Sequence, residues 1–406
     1  MATAPTQDGW PVNQAYQVTG MKPWAWNALV RFRFQLEDTI QRNCLFDQPK
    51  QTTPSSKDVT LWGVPLLPSK GHPGTNVVLC KFLEASGYRV PEAFEMLKET
   101  LRWRRMYVID TIGDEQLGGD SEKFVYIDGV DREGRPVWFN TYGADLKDRE
   151  LYSRHFGSSK SRTEFMRCIV QSLESGIEKL SFKDGGVDSL VHVADMTNLG
   201  NPKMKELKDI LWTSLVICRH RYPEIIRRHI MINVPFWYYV FHKLSAKLVP
   251  WPNNSKFVLA RPSRVTQTLL KYIEPEDLPR HYGGLKREGD DEFSELDKAT
   301  EVVIGVKSAK RIVIPFTEAG ATVVWDVAVV GGGVSYKEEF VPEDDCSYQV
   351  LIRKTKRLRE VVRGSYYINE PGNIVITVRN KSFGKKKVLY RTKLKPTVPM
   401  YLLLKS

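Results

Sequence analysis

The stretch that most constrains the fold is a strand–helix–strand pattern over residues 222–261. Two short apolar runs with polar flanks, Arg228–Val234 and Lys256–Ala260, predict strands buried in a sheet. Between them, Pro235 suits the first turn of a helix and Pro250 ends it. Because such crossovers join parallel neighbours, this stretch predicts an α/β domain with a mostly parallel sheet.

The predicted helix, Phe236–Val249, is unusually apolar, because only His242, Lys243, Ser245 and Lys247 interrupt it. A helix that is apolar all round is buried or faces something apolar. At roughly 14 residues it is too short to span a bilayer, which needs about 20. Two interpretations stay open: a core helix of an ordinary α/β domain, or a lid over a lipid cavity that also touches a membrane surface.

Two charged residues flank the predicted strands. Glu224 precedes the first strand and Lys256 opens the second. Parallel strands begin at the same edge of a sheet, so we expect the two side chains to meet at one rim, beside the entrance to anything under the helix. The pair is either a surface ion pair contributing about 0–1 kcal/mol or part of a ligand site.

The length and the cysteines bound the class of protein. A chain of 406 residues suggests two domains. The five cysteines are scattered and form no C-x-x-C motif, which suits a reducing compartment. The first 30 residues lack a secretory signal pattern, and no apolar run reaches the length of a membrane span. We therefore expect a cytoplasmic protein that is at most peripherally associated with membranes.

The positive charge is concentrated near the C-terminus. The net charge is +12, and Leu296–Ser406 alone holds 20 lysines and arginines against 11 acidic residues. Two basic runs contain Arg353, Lys354, Lys356, Arg357, Lys385, Lys386 and Lys387. These runs are either solvated edges of strands or contacts with an anionic membrane. Nucleic acid is a weaker candidate, because the aromatic residues follow strand alternation and should lie in a core.

The pattern predicts five segments along the chain. They are a loose tail (1–60) with one short helix at Trp24–Ile40, a small helical subdomain (61–105), an α/β domain (106–285), a charged linker (286–299) and an antiparallel sandwich (300–406). The sandwich follows from eight short period-two runs separated by glycine- and proline-rich turns.

Motifs for catalysis and cofactors are not found. The sequence has no G-x-S-x-G elbow, no Walker loop and no G-x-G-x-x-G fingerprint. Its seven histidines are dispersed, which argues against a metal site. We therefore expect neither an enzyme nor a bound metal or cofactor.

Several motifs resemble known families. Similarity to the CRAL-TRIO lipid-binding fold is carried by Lys81-Phe-Leu83, Gly129–Val137, Tyr222-Pro-Glu224, Ile232–Pro235 and Tyr282-Gly-Gly284. The sandwich resembles a GOLD domain. The combination is similar to the plant patellins through Leu61–Pro68, Arg149–Tyr152, Val334–Pro342 and Lys385–Arg391.

This resemblance implies a hydrophobic pocket on the sheet, covered by a mobile gate helix. Phe236–Val249 would be that gate, with Phe236, Trp237, Tyr238, Val240, Phe241, Leu244 and Leu248 facing the pocket. In phosphatidylinositol-binding relatives a glutamate and a lysine hold the headgroup, and these fall on Glu224 and Lys256. Asn253 stands where a threonine is usual near the headgroup, and its amide can still form hydrogen bonds.

The implied function is non-enzymatic binding or transfer of a lipid of phosphatidylinositol type, with peripheral docking on anionic membranes in membrane trafficking. Two alternatives stay open: another hydrophobic ligand (a sterol, an isoprenoid or phosphatidylcholine), or a trafficking adaptor that binds proteins through the GOLD domain. One departure favours the first alternative. Where relatives carry basic residues that help to hold the phosphate, this chain has Glu84, Ser86 and Gly87.

Overall fold

The fold is described from a computed structural model of the chain. The structure describes residues 20–42, 44–46, 59–117, 123–141, 149–197, 205–236, 239, 256–317, 319–344, 348–359 and 361–396. The chain divides into two compact units. One carries the N-terminal helices and most of a five-stranded sheet, and the other carries a β-sandwich together with residues 259–299.

Three helices form the N-terminal layer: α1 (Pro23–Gln41), α2 (Pro73–Ala85) and α3 (Val90–Met106). Each has a proline in its first turn, where the missing N–H has no helical partner to lose. A two-stranded hairpin of β1 (Thr60–Leu61) and β2 (Val64–Pro65) lies between α1 and α2 in the chain.

The helix predicted at Trp24–Ile40 exists, but it does not belong to a loose tail. Phe32 and Leu36 of α1 are fully buried, in the same core as Phe82 of α2 and Leu97 of α3. An amphipathic helix is stable when its apolar stripe is covered, and α2 and α3 cover this one. Residues 23–41 are therefore part of the helical layer.

The central sheet has five strands in sequential order. They are β3 (Val125–Val130), β4 (Pro136–Asn140), β5 (Leu190–Asp195), β6 (Ile226–Ile232) and β7 (Phe257–Leu259). β4 and β5 pair in parallel and are buried along their whole length, as expected for strands covered on both faces. The predicted α/β class is confirmed.

The helices that accompany the sheet are α4 (Arg149–Phe156), α5 (Ser159–Ile177), α6 (Lys205–Arg221) and the short α7 (Val265–Leu269). The start of α5 is fixed by a capping box, in which Ser158 and Ser161 satisfy each other's backbone N–H groups. The buried stripe of α5 includes Ile169, Leu173 and Ile177, which recur at the four-residue spacing of an amphipathic helix.

Strand β6 lies two residues earlier than predicted. Asn233 adopts a left-handed backbone with φ of 55°, which takes the chain out of the strand before Val234. The N–H of Val234 then bonds to the carbonyl of Ala260 at 3.0 Å. Strand β7 is also shorter than predicted, since Lys256 and Ala260 lie outside it.

Arg104 of α3 is almost fully buried, which is rare for an arginine. Its guanidinium donates to both carboxylate oxygens of Glu174, at 2.5 and 3.1 Å. Glu174 also accepts a hydrogen bond from the hydroxyl of Tyr222 at 2.5 Å. Because a buried charge needs a partner with good geometry, the burial of Arg104 depends on a carboxylate 70 residues away, which helical periodicity cannot reveal.

The sandwich consists of two four-stranded antiparallel sheets, ordered β13-β10-β15-β8 and β12-β11-β14-β9. Its strands are β8 (Thr300–Ile304), β9 (Ala309–Phe316), β10 (Ala321–Val330), β11 (Val334–Pro342), β12 (Val350–Leu358), β13 (Val362–Ile368), β14 (Gly372–Arg379) and β15 (Lys386–Pro396). Trp325, Tyr336 and Phe340 fill the core between the sheets. All eight predicted strands are confirmed.

The segment predicted as a linker, 286–299, is fixed to the sandwich. Arg363 of β13 donates to both carboxylate oxygens of Asp290, each at 2.6 Å. The buried ring of Phe293 lies 4.3 Å from the guanidinium of Arg391 on β15. The segment therefore packs as part of the sandwich.

A buried carboxylate gathers the same arginines. Asp326 of β10 has no exposed surface and accepts hydrogen bonds from Arg287, Arg363 and Arg391 at 2.7–3.2 Å. Burial alone would raise the pKa of Asp290, but the bonds from Arg363 outweigh it and lower that pKa to about 2. Both carboxylates are therefore held by arginines, a requirement for charges in a low-dielectric interior.

Candidate functional site

Glu224 and Lys256 meet at one rim of the sheet. Glu224 lies in the turn before β6, Lys256 directly precedes β7, and the two strands are neighbours. The Lys256 ammonium donates a hydrogen bond to the Glu224 carboxylate. The side chain of Glu224 is only 14% exposed and that of Lys256 only 19%, so the ion pair is largely shielded from solvent. The geometric prediction that the two meet is therefore confirmed.

A second cation lies beneath this pair. The ammonium of Lys81, on α2, is 2.9 Å from the carboxylate of Asp188 and donates to the backbone carbonyl of Glu224 at 3.2 Å. The Lys81 side chain is 5% exposed. The sequence does not reveal this burial, because a lysine on an amphipathic helix is usually solvated. Its two acceptors lie more than 100 residues away along the chain.

Glu84 adds negative charge to the same region, one helical turn beyond Lys81. Burial, and then the charge of Glu224, raise the pKa of Glu84 above its ordinary value. Burial and the charge of Glu84 likewise raise the pKa of Tyr88 to about 12. The cluster thus combines two ammonium groups with three carboxylates, those of Glu84, Asp188 and Glu224, at the N-terminal end of β6.

Behind this rim, the sheet presents a row of rings. Trp138 of β4 and His192 of β5 lie 4.6 Å apart between ring centroids. The Nδ1 atoms of His192 and His229 are 2.9 Å apart, so one ring donates to the other. His229 stacks on Phe257 at 4.9 Å. This row is apolar apart from the histidine pair.

Burial keeps both histidines uncharged. Burial, and then the neighbouring His229, lower the pKa of His192 well below its ordinary value. Burial and the charge of Lys256 lower the pKa of His229 to about 4. The Nε2 atom of His192 finds no hydrogen-bond partner among the described residues. Neutral rings are suited to an apolar wall.

Most of the predicted gate and pocket residues lie outside the described residues. These are Trp237, Tyr238, Val240, Phe241, Leu244 and Leu248, together with Asn253 of the predicted headgroup site. Phe236 is described and is exposed. The N–H of Tyr239 bonds to the carbonyl of Pro235 at 3.0 Å, the i to i−4 bond of a first helical turn.

The basic residues predicted to contact a membrane fall into two groups. The first group is exposed and forms no ion pair in the part of the chain that the structure describes: Lys354, Lys356, Arg357 and Lys385. Engaged elsewhere are Arg353, 3.6 Å from Glu338, Lys386, which donates to the carbonyl of Gly331, and Lys387, 2.6 Å from Glu301. Only the first group of basic side chains is therefore available to bind an anionic partner.

A cleft of about 880 Å³ lies elsewhere in the N-terminal unit, between the end of α3 and helices α5 and α6. Its lining is mixed, with Met166, Val170 and Ile210 beside Arg162 and Arg167. None of the charged residues of the rim lines it. The cleft is therefore separate from the candidate site.

The described ranges offer no metal site and no membrane span. No group of three or more histidine, cysteine, aspartate or glutamate side chains in these ranges is arranged to hold a metal ion. No helix in the same ranges is both long and apolar enough to cross a bilayer.

Comparison with known proteins follows the same two-part division. Residues 120–284 match the model of the CRAL/TRIO domain, and residues 306–387 match that of the Patellin-1-like C-terminal GOLD domain. Glu224 and Lys256 lie within the first match, and the second covers strands β9 to β14 but leaves out β8 and most of β15.

Three relatives illustrate the range of similarity. Patellin-4 of Arabidopsis thaliana is 44% identical over 84% of this chain, and the chain spans 62% of its length. Patellin-6 of the same plant is 36% identical over 88% of the chain and is covered over 87% of its length. A protein of Botryotinia fuckeliana named phosphatidylinositol transfer protein sfh5 is 26% identical, with 55% of this chain and 52% of that protein covered. The chain belongs to the patellin family, and in it a CRAL-TRIO domain precedes a C-terminal GOLD domain.

Proposed function

We propose that this protein binds one lipid of phosphatidylinositol type and carries it between membranes without changing it chemically. Its sandwich docks on anionic membranes during this exchange, which gives the protein a role in membrane trafficking. The observation that carries the proposal is the shielded ion pair of Glu224 and Lys256 at the mouth of the sheet. A relative that bears the name of a phosphatidylinositol transfer protein supports the choice of lipid class.

The chemistry of the pair suits an inositol headgroup. An ammonium group donates up to three hydrogen bonds, to a phosphate or to ring hydroxyls, and a carboxylate accepts bonds from hydroxyls. A polyol can satisfy both partners at once, so the two charges stay paired or hydrogen-bonded when the ligand enters. This matters because a shielded charge left without a partner is costly.

Lys81 and Asp188 support the pair. The bond from Lys81 to the carbonyl of Glu224 holds the turn that carries the carboxylate. Asp188 keeps the buried Lys81 ammonium compensated at 2.9 Å. The headgroup pair is therefore pre-positioned, which lowers the ordering cost that binding has to overcome.

The apolar part of the lipid would lie against the partly exposed rings of His229 and Phe257, which stack on each other. Both histidines are uncharged at neutral pH, and so this wall carries no net charge. Apolar burial contributes about 25 cal/mol per Å², and the acyl chains would supply most of the binding free energy. In this scheme the gate, Phe236–Val249, closes over the chains.

The test is lipid transfer between vesicles. We expect Lys256→Ala and Glu224→Gln to lower phosphatidylinositol transfer by at least about tenfold, since each loses a charged hydrogen bond of about 1.5–3 kcal/mol. Transfer of phosphatidylcholine should change much less. Lys179→Ala, which removes an exposed lysine outside the described charge cluster, is the matched control. Circular dichroism checks folding, and unchanged inositol-lipid transfer in folded Lys256→Ala would remove the pair from the site.

A specific observation favours a second ligand class. Glu84 places a carboxylate beside the rim, where it repels a phosphate. A sterol, an isoprenoid or phosphatidylcholine would avoid that repulsion, or meet less of it. Mass spectrometry of the lipid that co-purifies with the protein separates the two classes. A bound inositol phospholipid would support the proposed function, whereas a bound sterol, isoprenoid or phosphatidylcholine without any inositol phospholipid would support the second ligand class.

A further inference from the structure

Two turns at one end of the sandwich are tied into a single rigid projection. They are the β8–β9 turn, 305–308, and the β14–β15 turn, 380–385, and together we name them the sandwich tip. The side chain of Asn380 is almost fully buried and donates to the carbonyls of Gly305 and Gly384, both at 2.8 Å. Its oxygen accepts bonds from the N–H and hydroxyl of Ser382 at 3.0 and 2.7 Å.

This projection holds an aromatic ring out in solvent. Phe383 is 81% exposed, and Val306 of the neighbouring turn is 45% exposed. The backbone N–H of Lys307 bonds to the carbonyl of Ser382 at 3.3 Å, which joins the two turns directly. These bonds brace the backbone that carries the ring, and the ammonium of Lys307 lies 4.3 Å from the centroid of the Phe383 ring.

Unpaired positive charge surrounds the ring. Residues 305–311 and 379–386 contain seven lysines and arginines and no acidic residue. Lys307, Lys310, Arg379, Lys381 and Lys385 are exposed, and none of them forms an ion pair within the described ranges. Along the strands the pattern differs, since Lys387 pairs with Glu301 and Lys393 pairs with Asp297 at 2.6 and 2.9 Å.

The antiparallel pairing places basic turns at one end of the sandwich and acidic turns at the other. The turns 305–308, 331–333 and 380–385 lie at one end of the two sheets, and Arg357 and Lys386 flank the middle one. The opposite end carries Glu343, Asp344 and Glu370 at its turns. An anionic surface would therefore attract the tip end and repel the other, which fixes the orientation of approach.

We propose that the sandwich tip is a membrane anchor. Phe383 inserts at the level of the lipid headgroups of an anionic bilayer, and the surrounding lysines and arginines bind lipid phosphates. An exposed aromatic ring among basic residues is the combination that binds this interface, and lysine stems can lie along apolar surface while their charges stay in water. The proposal rests on the membrane-docking part of the proposed function and names the residues that perform it.

The first test is co-sedimentation of the full chain with vesicles rich in phosphatidylserine. We expect Phe383→Ala to weaken vesicle binding by about tenfold and Phe383→Leu to keep most of it, because only apolar insertion separates these variants. Leu351→Ala, which removes an exposed apolar side chain from strand β12, is the matched control and should bind like the unsubstituted protein. Equal binding of Phe383→Ala and the control would overturn the proposal.

A second test measures insertion itself. Phe383→Trp should gain tryptophan emission that is quenched by brominated lipids in the same vesicles, beyond the quenching of the unsubstituted protein. No extra quenching would contradict insertion. Binding that depends on the lysines but not on Phe383, with equal affinity for an acidic polypeptide or RNA, would also contradict it and reassign the tip to a purely electrostatic role.

Asn380→Ala tests the brace. It leaves Phe383 in place but frees the turn, so vesicle binding should fall while far-ultraviolet circular dichroism stays unchanged. Unaltered binding would overturn the role of the rigid turn. The failures of the two proposals are also separable. Lys256→Ala should still sediment with vesicles, and Phe383→Ala should still co-purify with its lipid.

Discussion

The buried ammonium of Lys81 donates a hydrogen bond to the backbone carbonyl of Glu224 over 3.2 Å. Glu224 has a left-handed backbone with φ of 54°, a conformation that costs a non-glycine residue about 1–3 kcal/mol. Such a turn persists only when its surroundings hold it. Helix α2 therefore positions the carboxylate that faces Lys256, although it contributes no side chain to that ion pair.

This relationship predicts the effect of Lys81→Met, which keeps the apolar stem and removes the ammonium. We expect phosphatidylinositol transfer to fall about tenfold and the free energy of unfolding to drop by about 1.5–3 kcal/mol, the range for a hydrogen bond to a charged group. Asp188→Asn keeps the bond from Lys81 to Glu224 and leaves an amide oxygen that can accept from the Lys81 ammonium, so we expect transfer to fall less than in Lys81→Met. Vesicle transfer assays and urea unfolding measure both, and equal loss of transfer in the two variants would contradict a positioning role.

Glu84 predicts a pH dependence of transfer. Its pKa is raised, first by burial and then by Glu224, so it becomes protonated at a higher pH than an ordinary glutamate. As the pH falls through that raised pKa, the repulsion between Glu84 and the lipid phosphate disappears, and transfer should increase. Glu84→Gln should remove this increase and raise transfer at neutral pH by about threefold, the size of one Coulomb term across several ångströms of water. A pH profile as steep as that of the unsubstituted protein would contradict this assignment.

The histidine pair predicts loss of stability in mild acid. The pKa of His229 is lowered to about 4, by burial and then by Lys256, whereas an unfolded histidine titrates near 6.5. Between these two values the unfolded chain binds the proton and the folded chain does not. Stability is therefore full above the unfolded pKa and falls by about 1.4 kcal/mol per pH unit below it, or about 2 kcal/mol by pH 5.

His229→Gln tests this assignment, because it removes one of the two titrating rings. Urea unfolding at pH 7 and pH 5 should show a clearly smaller acid-induced loss in this variant. His192 is lowered in the same direction, so part of the loss should remain. Equal loss in both proteins would place the sensitive group elsewhere.

The anchoring of segment 286–299 predicts a contrast between neighbouring aspartates. Asp290→Asn leaves Arg363 and Arg391 short of a carboxylate and should lower the free energy of unfolding by about 2 kcal/mol. Asp291→Asn changes an exposed residue and should stay within about 0.5 kcal/mol. Because the pKa of Asp290 is about 2, its contribution is complete above pH 4 and is lost as the pH falls from about 4 toward 2. Thermal unfolding of both variants at neutral pH measures the contrast.

The period of apolar residues was sufficient to predict the classes of element in both domains. Alternating strands and helices predicted the α/β sheet, and period-two runs predicted the eight strands of the sandwich. The predicted first and last residues of most strands differ from the observed ones by a few positions. Asn233 illustrates why bounds are harder, since a single left-handed residue ended β6 earlier than its apolar pattern did. Local pattern reports burial along one element, whereas its ends depend on single backbone conformations.

The charged residues show where sequence reasoning ends. Glu224 and Lys256 could be paired in advance because parallel strands start at one edge. Lys81, Arg104 and Asp290 could not, since each looks like a solvated charge and its partner lies 70 or more residues away. The exposed Phe383 was missed for the opposite reason. A phenylalanine beside a strand pattern suggests core, and only the bonds of Asn380 show that the turn holds it in solvent.

The arginine contacts of residues 285–293 determine where the C-terminal module can be cut from the rest of the chain. Arg391 donates to the carbonyl of Leu285 at 2.9 Å, well before the first residue that matches the GOLD family model, Val306. A fragment that began there would lose β8 and Asp290 and leave Arg363 and Arg391 over Asp326 alone. A fragment that begins at Leu285 keeps the whole charge network. The packed C-terminal module thus begins before the residues that match the family model, and this N-terminal extension supplies the carboxylate of Asp290 to Arg363 and Arg391.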